Sequence, residues 1–203
     1  MAVTRIGISL VQLKTKMLKK DNLAQVSKFV SKAALVSKIV VLPECFNAPY
    51  GTRYFKDYAE PANGETATLM QELSLKHSIV LLGSFIERDG SMHYNTCPVY
   101  ENGILLGTHR KAHLFDIDIP GKITFKESDV LSAGNQITTV STSYGLIGVG
   151  ICYDLRFPGI ICFNKRIIYD ICKEGVYCHD ISRCIQHNYW SSSLEPLAES
   201  TRR

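Results

Sequence analysis

Long hydrophobic runs are missing from this 203-residue sequence: none approaches the ~18 consecutive apolar residues that cross a bilayer, so no transmembrane helix is expected. A secretory leader is missing as well, because Thr4-Arg5 leads straight into the alternating stretch Ile6-Gly7-Ile8-Ser9-Leu10 rather than into an apolar core. Without leader or span, the expectation is a cytoplasmic protein with no membrane contact, the mitochondrion being the alternative compartment. Basic clusters are scarce too. No run of Lys and Arg exceeds two residues, and 23 Lys+Arg against 19 Asp+Glu leave a net charge of only +4, which gives no footing for nucleic acid. No repeat recurs at the roughly 20–50-residue periods of solenoids. With 45% apolar and 21% charged residues, the composition is that of a globular chain long enough for one domain with a real core.

Seven cysteines are present, an odd number, and in a chain without a secretory leader they are expected to be reduced. Cys45, Cys97 and Cys152 are spread over the first 158 residues, whereas Cys162, Cys172, Cys178 and Cys184 crowd into the last 45. The sequence changes character near Pro158.

Residues 1–158 are patterned as α/β with a mixed sheet. Alternation over Arg5–Gln12 predicts a strand. Asp21 is placed to cap a helix that carries Leu23, Val26, Val30, Ala33 and Ala34 at helical spacing. The short apolar run Lys38–Leu42, stopped by Pro43, reads as a strand buried on both faces. A second helix is predicted from Gly64 to His77 with Leu69 and Leu73 inward, then a strand over Ser78–Ile86. Asn95–Tyr100 and Ile104–His109 flank Glu101-Asn102-Gly103, a hairpin signal, and Gln136–Thr142 with Leu146–Ile151 form a second strand pair around Tyr144-Gly145.

Two strand ends carry candidate chemistry. Ile39-Val40-Val41-Leu42 runs into Pro43-Glu44-Cys45, and Ile147-Gly148-Val149-Gly150-Ile151 runs into Cys152-Tyr153-Asp154. In open α/β sheets, sites lie beyond the carboxyl ends of strands, so a carboxylate and a thiol so placed can meet. Taken singly, a cysteine after a strand is more often a small buried residue than a nucleophile. Arg110-Lys111 and His113 follow the strand Ile104–His109. Read as a surface loop, they are only basic residues. Read as chemistry, Lys111 faces inward beside Cys152, lowers the thiol pKa and stabilises developing negative charge. A Cys–Glu–Lys set needs no histidine, since the carboxylate takes the thiol proton and the ammonium holds the oxyanion. His113 keeps a Cys–His dyad open as a competing assignment.

Leu-Pro-Glu-Cys-Phe (42–46), His-Arg-Lys-Ala-His-Leu-Phe-Asp (109–116) and Gly-Ile-Cys-Tyr-Asp-Leu-Arg-Phe-Pro (150–158) resemble the three signatures of the nitrilase, or carbon–nitrogen hydrolase, superfamily. Cys-Phe-Asn-Ala-Pro-Tyr-Gly (45–51), Tyr-Asn-Thr-Cys (94–97) and the segment 115–128 are similar to its omega-amidase branch. The resemblance covers residues 3–158. It implies a four-layer α-β-β-α sandwich, incomplete here at the C-terminus, that forms homodimers through its outer helices. It implies Cys152 as nucleophile, Glu44 as general base and Lys111 as oxyanion-stabilising lysine. Glu127 supports Lys111, and the Tyr153 backbone N–H completes the oxyanion hole. The implied substrate is a small-molecule omega-amide of a dicarboxylic acid, such as alpha-ketoglutaramate or succinamate. The reaction passes through a thioester, releases ammonia and needs no cofactor or metal.

The resemblance gives a division into residues 1–158, the N-terminal part of a carbon–nitrogen hydrolase domain, and residues 159–203, a tail outside the family. Ile181–Arg203 can be back-translated so that a frame one nucleotide later reads Tyr-Pro-Gly-Ala-Phe-Asn-Thr-Thr-Thr-Gly-Pro-Ala-His-Trp, the sequence with which the family continues. The tail is therefore expected to be out of frame, and its crowded cysteines to carry no chemistry. A zinc site from Cys178, Cys184 and His187 is not expected, because their spacing matches no recognised ligand pattern. The competing reading of the whole chain is a catalytically inactive, truncated relative that acts only as a dimer partner or is a non-functional product.

Overall fold

The computed structural model describes residues 6–157. Three short parallel strands, β1 (Ile8–Leu10), β2 (Ile39–Val41) and β3 (Val80–Leu82), lie side by side. The ten-residue β5 (Met92–Glu101) runs antiparallel to β3 along its last residues, Val99 to Glu101, and to β4 (Phe85–Asp89) along its first, Met92 to Thr96. β3 and β4 thus follow one another along one edge of β5, and β6 (Ile104–Arg110) takes the other edge. The predicted single strand over Ser78–Ile86 is broken at Gly83-Ser84. A side chain at Gly83 would meet Leu42 at 2.5 Å, and Ser84 leaves the ladder to bind the backbone of Cys45 and Phe46.

Helices α1 (Lys19–Ala33) and α3 (Glu65–His77) cover one face of the sheet. Leu23, Val26 and Val30 of α1 and Met70 and Leu73 of α3 pack on Val40, Leu81 and Tyr100. Each such side chain contributes roughly 1.5–3 kcal/mol on full burial, so a charge at Val26, 0% exposed, would break the layer. Asp21 does not cap α1 as expected. The helix begins two residues earlier, after Leu18, and Asp21 lies in its first turn, where a carboxylate complements the helix dipole. The α3 start is capped from outside, by Glu60 Oε2 accepting from the Thr66 N–H at 2.9 Å. The short helix α2 (Thr52–Tyr58) had no counterpart in the sequence pattern.

The opposite face of the sheet presents Ile39, Val80, Cys97 and Val99 to a hairpin of β9 (Thr138–Thr142) and β10 (Gly145–Val149), through Val140, Val149 and Ile151. Gly107 permits this close packing, since a Cβ there would meet Val140 at 2.7 Å. The layers stack as α, β, β among the described residues; the expected closing helical layer is not among them. The Asn102-Gly103 turn has both residues at positive φ, 50° and 79°, as a two-residue hairpin requires. Past that turn, β6 carries one extra residue, Leu106, between the pairs Tyr100–Leu105 and Val99–Gly107. A third hairpin, β7 (Asp116–Ile119) with β8 (Ile123–Lys126), leads into a 3-10 turn, Glu127–Asp129.

Candidate active site

The ends of β2, β6, β8 and β10 converge, and each delivers one candidate residue. Glu44 follows β2 in a turn held by Ser84, whose Oγ accepts from the Cys45 N–H at 3.0 Å. Lys111 follows β6, with its N–H bound to the Asn95 carbonyl at 2.8 Å. Glu127 follows β8, and Cys152 opens the 3-10 turn Cys152–Arg156 just beyond β10.

Lys111 is fully buried, and its Nζ lies 2.9 Å from Glu44 Oε1, 3.0 Å from Glu127 Oε1 and 2.9 Å from Glu127 Oε2. Burial by itself would push the ammonium toward its neutral form. Glu44 and Glu127 override this, and the pKa of Lys111 is raised. Glu127, also fully buried, is pushed up by desolvation against the opposing pull of Lys111. It accepts from Tyr50 OH at 2.7 Å on Oε1 and from the Phe115 N–H at 2.7 Å on Oε2. Asn95 Nδ2 donates to Glu44 Oε1 at 2.7 Å. Two carboxylates and one ammonium therefore share a dry pocket, with each charge hydrogen-bonded.

The Cys152 thiol lies within the field of Glu44, whose carboxylate favours its protonated form. Its backbone sits at φ +47°, a left-handed conformation that costs a non-glycine residue ~1–3 kcal/mol and persists only where the surroundings impose it. One expectation is corrected here. Lys111 does pull the thiol pKa down as expected, but the net shift is upward, to about 12, because burial and the nearby Glu44 and Glu127 carboxylates outweigh the ammonium. The resting site holds a neutral thiol beside an ionised lysine. Cys45 and Cys97 are free, buried thiols.

His113 does not pair with the thiol. Its Nδ1 bonds Asp154 Oδ1 at 3.0 Å and its ring stacks on Phe157 at 3.7 Å; among the described residues it has no hydrogen bond to Cys152. The Tyr153 ring packs edge-on against Phe115 and Phe157, at 5.1 and 5.3 Å, and its backbone N–H follows Cys152 in the same turn.

Glu44, Lys111, Glu127 and Cys152 are thus brought together as expected. Three contacting residues carry no assignment in the sequence reading: Asn95, Tyr50 and Asp154. Each lies inside a stretch singled out there, Tyr-Asn-Thr-Cys, Cys-Phe-Asn-Ala-Pro-Tyr-Gly and Cys-Tyr-Asp, but its partner lies up to 77 positions away. The zinc candidates Cys178, Cys184 and His187 lie outside the described residues.

The profile of the Carbon-nitrogen hydrolase family matches residues 7–176, which carries the likeness past Pro158. Omega-amidase NIT2 of Danio rerio is 49% identical over 158 residues, covering 76% of this chain and 57% of that protein. Omega-amidase NIT2 of Homo sapiens is 48% identical with the same coverage. The chain spans little more than half the length of these relatives. Among solved structures, Saccharomyces cerevisiae Nit3, a member of branch 10 of the nitrilase superfamily, superposes with a TM-score of 0.68 at 37% identity, over 78% of this chain and 59% of that one. The C. elegans NitFhit protein superposes with a TM-score of 0.69 at 28% identity, over 82% and 42%. By profile, sequence and fold, this chain belongs to the carbon–nitrogen hydrolase family.

Proposed function

We propose that Cys152, Glu44 and Lys111 hydrolyse the omega-amide of small dicarboxylic acid monoamides, alpha-ketoglutaramate and succinamate among them. The observation that carries this reading is the buried cluster in which Glu44 holds Lys111 at 2.9 Å while its carboxylate acts on the neighbouring Cys152 thiol. The substrate class rests on the likeness to proteins named omega-amidase.

A neutral thiol with a pKa near 12 is a poor nucleophile until its proton leaves, so transfer to Glu44 accompanies attack on the amide carbon. The Lys111 ammonium has three hydrogens. Glu44 and Glu127 engage two, and the third points to the oxyanion together with the Tyr153 backbone N–H. Glu44 then passes its proton to the departing nitrogen, ammonia leaves, and a Cys152 thioester remains. Water attacks the thioester while Glu44 takes its proton, and the acid is released as the thiol re-forms. One water is consumed for each ammonia formed. The scheme draws on no cofactor or metal. The enzyme acts in the cytoplasm or mitochondrion, as a homodimer.

The same reading holds residues 159–203 to be out of frame. The family profile runs on to residue 176, which counts against the reading for residues 159–176, but it ends before Ile181–Arg203, the stretch that yields family sequence in the shifted frame. Sequencing the transcript across the codons for Phe157–Ile160 tests this, and a single uninterrupted frame would refute it. For the activity, a chain continued in the relatives' frame is expected to release ammonia from succinamate. Absence of release from any dicarboxylic acid monoamide would overturn the substrate assignment.

A further inference from the structure

Asp154 has a side chain with no solvent exposure, yet it contacts neither Glu44 nor Lys111 directly. Its carboxylate is saturated by four donors. Oδ2 accepts from the Ile151 N–H at 3.0 Å and from His109 Nε2 at 3.1 Å. Oδ1 accepts from the His113 N–H at 2.8 Å and from His113 Nδ1 at 3.0 Å. Burial pulls the carboxyl upward, but these hydrogen bonds outweigh it and hold Asp154 below its ordinary value.

The placement of the donors matters more than their number. Ile151 is the residue before Cys152. His109 and His113 are the second residues before and after Lys111. His109 is itself fully buried and braced on its far side by Thr138 of β9, Nδ1 to Oγ1 at 3.1 Å. One carboxylate therefore grips the segment that carries the thiol and both flanks of the residue that carries the ammonium. Cys152 also holds its costly left-handed backbone within this grip, since the Ile151 N–H bond closes the turn in which that conformation occurs.

We infer that Asp154 is a positioning residue: through Ile151, His109 and His113 it sets the Cys152 thiol in register with Lys111 and Glu44. The inference rests on the reading of Cys152 and Lys111 as the reacting pair. In Asp154→Asn the shape is kept, but an amide NH2 replaces an acceptor among four donors, so the turn is pushed out of register while the core around it remains.

The test uses iodoacetamide on the full 203-residue chain, with each alkylated thiol mapped by mass spectrometry; it needs no amide turnover, but the neutral thiol reacts only if Glu44 takes its proton during attack, so the rate reports the register of Cys152 with Glu44. In the wild type Cys152 reacts, while Cys97, 5% exposed, stays protected. In Asp154→Asn, Cys152 is expected to react at least about tenfold more slowly, because ~1 Å of misplacement can cost ~100-fold, with Cys97 still protected. His109→Leu, which removes a donor, should fall in the same direction, and His109→Gln, which keeps one, should stay close to wild type. A purely structural role moves the readings the other way, since loosening the fold speeds alkylation of Cys97. Unchanged Cys152 reactivity in Asp154→Asn, or opening of Cys97 in both Asp154→Asn and His109→Leu, overturns the inference alone. A wild-type Cys152 that never reacts overturns the parent reading and this one with it.

Discussion

The Lys111 ammonium lies 2.9 Å from Glu44 Oε1, and neither side chain is more than 4% exposed. At that depth the pair cannot be separated cheaply. Removing one partner of a buried ion pair leaves the other charge without compensation, a loss of about 3–5 kcal/mol. The lysine is therefore both an oxyanion donor in the proposed chemistry and the counter-charge that lets two carboxylates coexist in one pocket.

Lys111→Met is accordingly expected to do two things. In a frame-continued chain, amide turnover should fall by ~100-fold or more, the usual scale for one lost oxyanion donor. Stability measured by urea unfolding at pH 7 should fall by about 3–5 kcal/mol. Much of that stability should return in mild acid, where protonation relieves Glu127, whose carboxyl is already held above its ordinary value by burial. A variant as stable as wild type at pH 7 would mean the carboxylates have another cation.

Glu44→Gln and Cys152→Ala should each abolish ammonia release, since in the proposed chemistry Glu44 takes the proton of the attacking thiol. His113→Ala should lower activity without abolishing it, because the His113 ring is committed to Asp154 and Phe157 and bears on the thiol only through Asp154. An active Glu44→Gln beside an inactive His113→Ala would restore the Cys–His assignment.

The thiol should show no thiolate at neutral pH. Its folded pKa of about 12 stands above the ordinary 9.0, so the stability from keeping it protonated is complete below 9 and is lost as pH rises from there toward 12. Difference absorbance at 240 nm between wild type and Cys152→Ala should be flat up to about pH 9. Between pH 9 and 12 the wild type should lose more stability than Cys152→Ala. Some loss persists in the variant, because Cys97 is also pushed up to about 12. A thiolate signal at pH 7 would show that Lys111 dominates after all.

The 203-residue chain and its frame-continued counterpart, compared side by side, should differ in succinamate turnover by at least ~100-fold in favour of the latter, if family residues from the continued frame complete the pocket. Equal rates would make residues 159–203 a working C-terminus.

Most of this site is legible in the sequence because strand ends concentrate it. Glu44 and Cys152 stand just past runs whose burial is plain from composition, and Lys111 follows a hairpin announced by Asn102-Gly103. What is not legible is what only the assembled layers decide. Asn95 bonds Glu44 across 51 positions, and Tyr50 bonds Glu127 across 77, so no local pattern reveals either. The sign of the thiol's shift is also hidden, because it is a balance between burial, two carboxylates and one ammonium. The break at Gly83-Ser84 escapes notice because apolar residues continue on both sides of it.

The extra residue Leu106 in β6 has a consequence for which residue the site receives. With the bulge, Cys97 pairs with His109 and Thr96 with Arg110, which brings Lys111 opposite Asn95. Arg110 points the other way and grips Glu87 at 2.6 and 2.9 Å. If Leu106 were instead paired with Val99, Arg110 would stand opposite Asn95, because side chains alternate faces along a strand. Deleting Leu106 would remove the bulge and leave Lys111 opposite Asn95, whereas pairing it would exchange a guanidinium for the ammonium. Leaving one residue of β6 out of the ladder is thus as strict a requirement as the identity of Lys111. This strand should accept loss of Leu106 or substitution at exposed Ile104 far more readily than any change that draws Leu106 into the pairing.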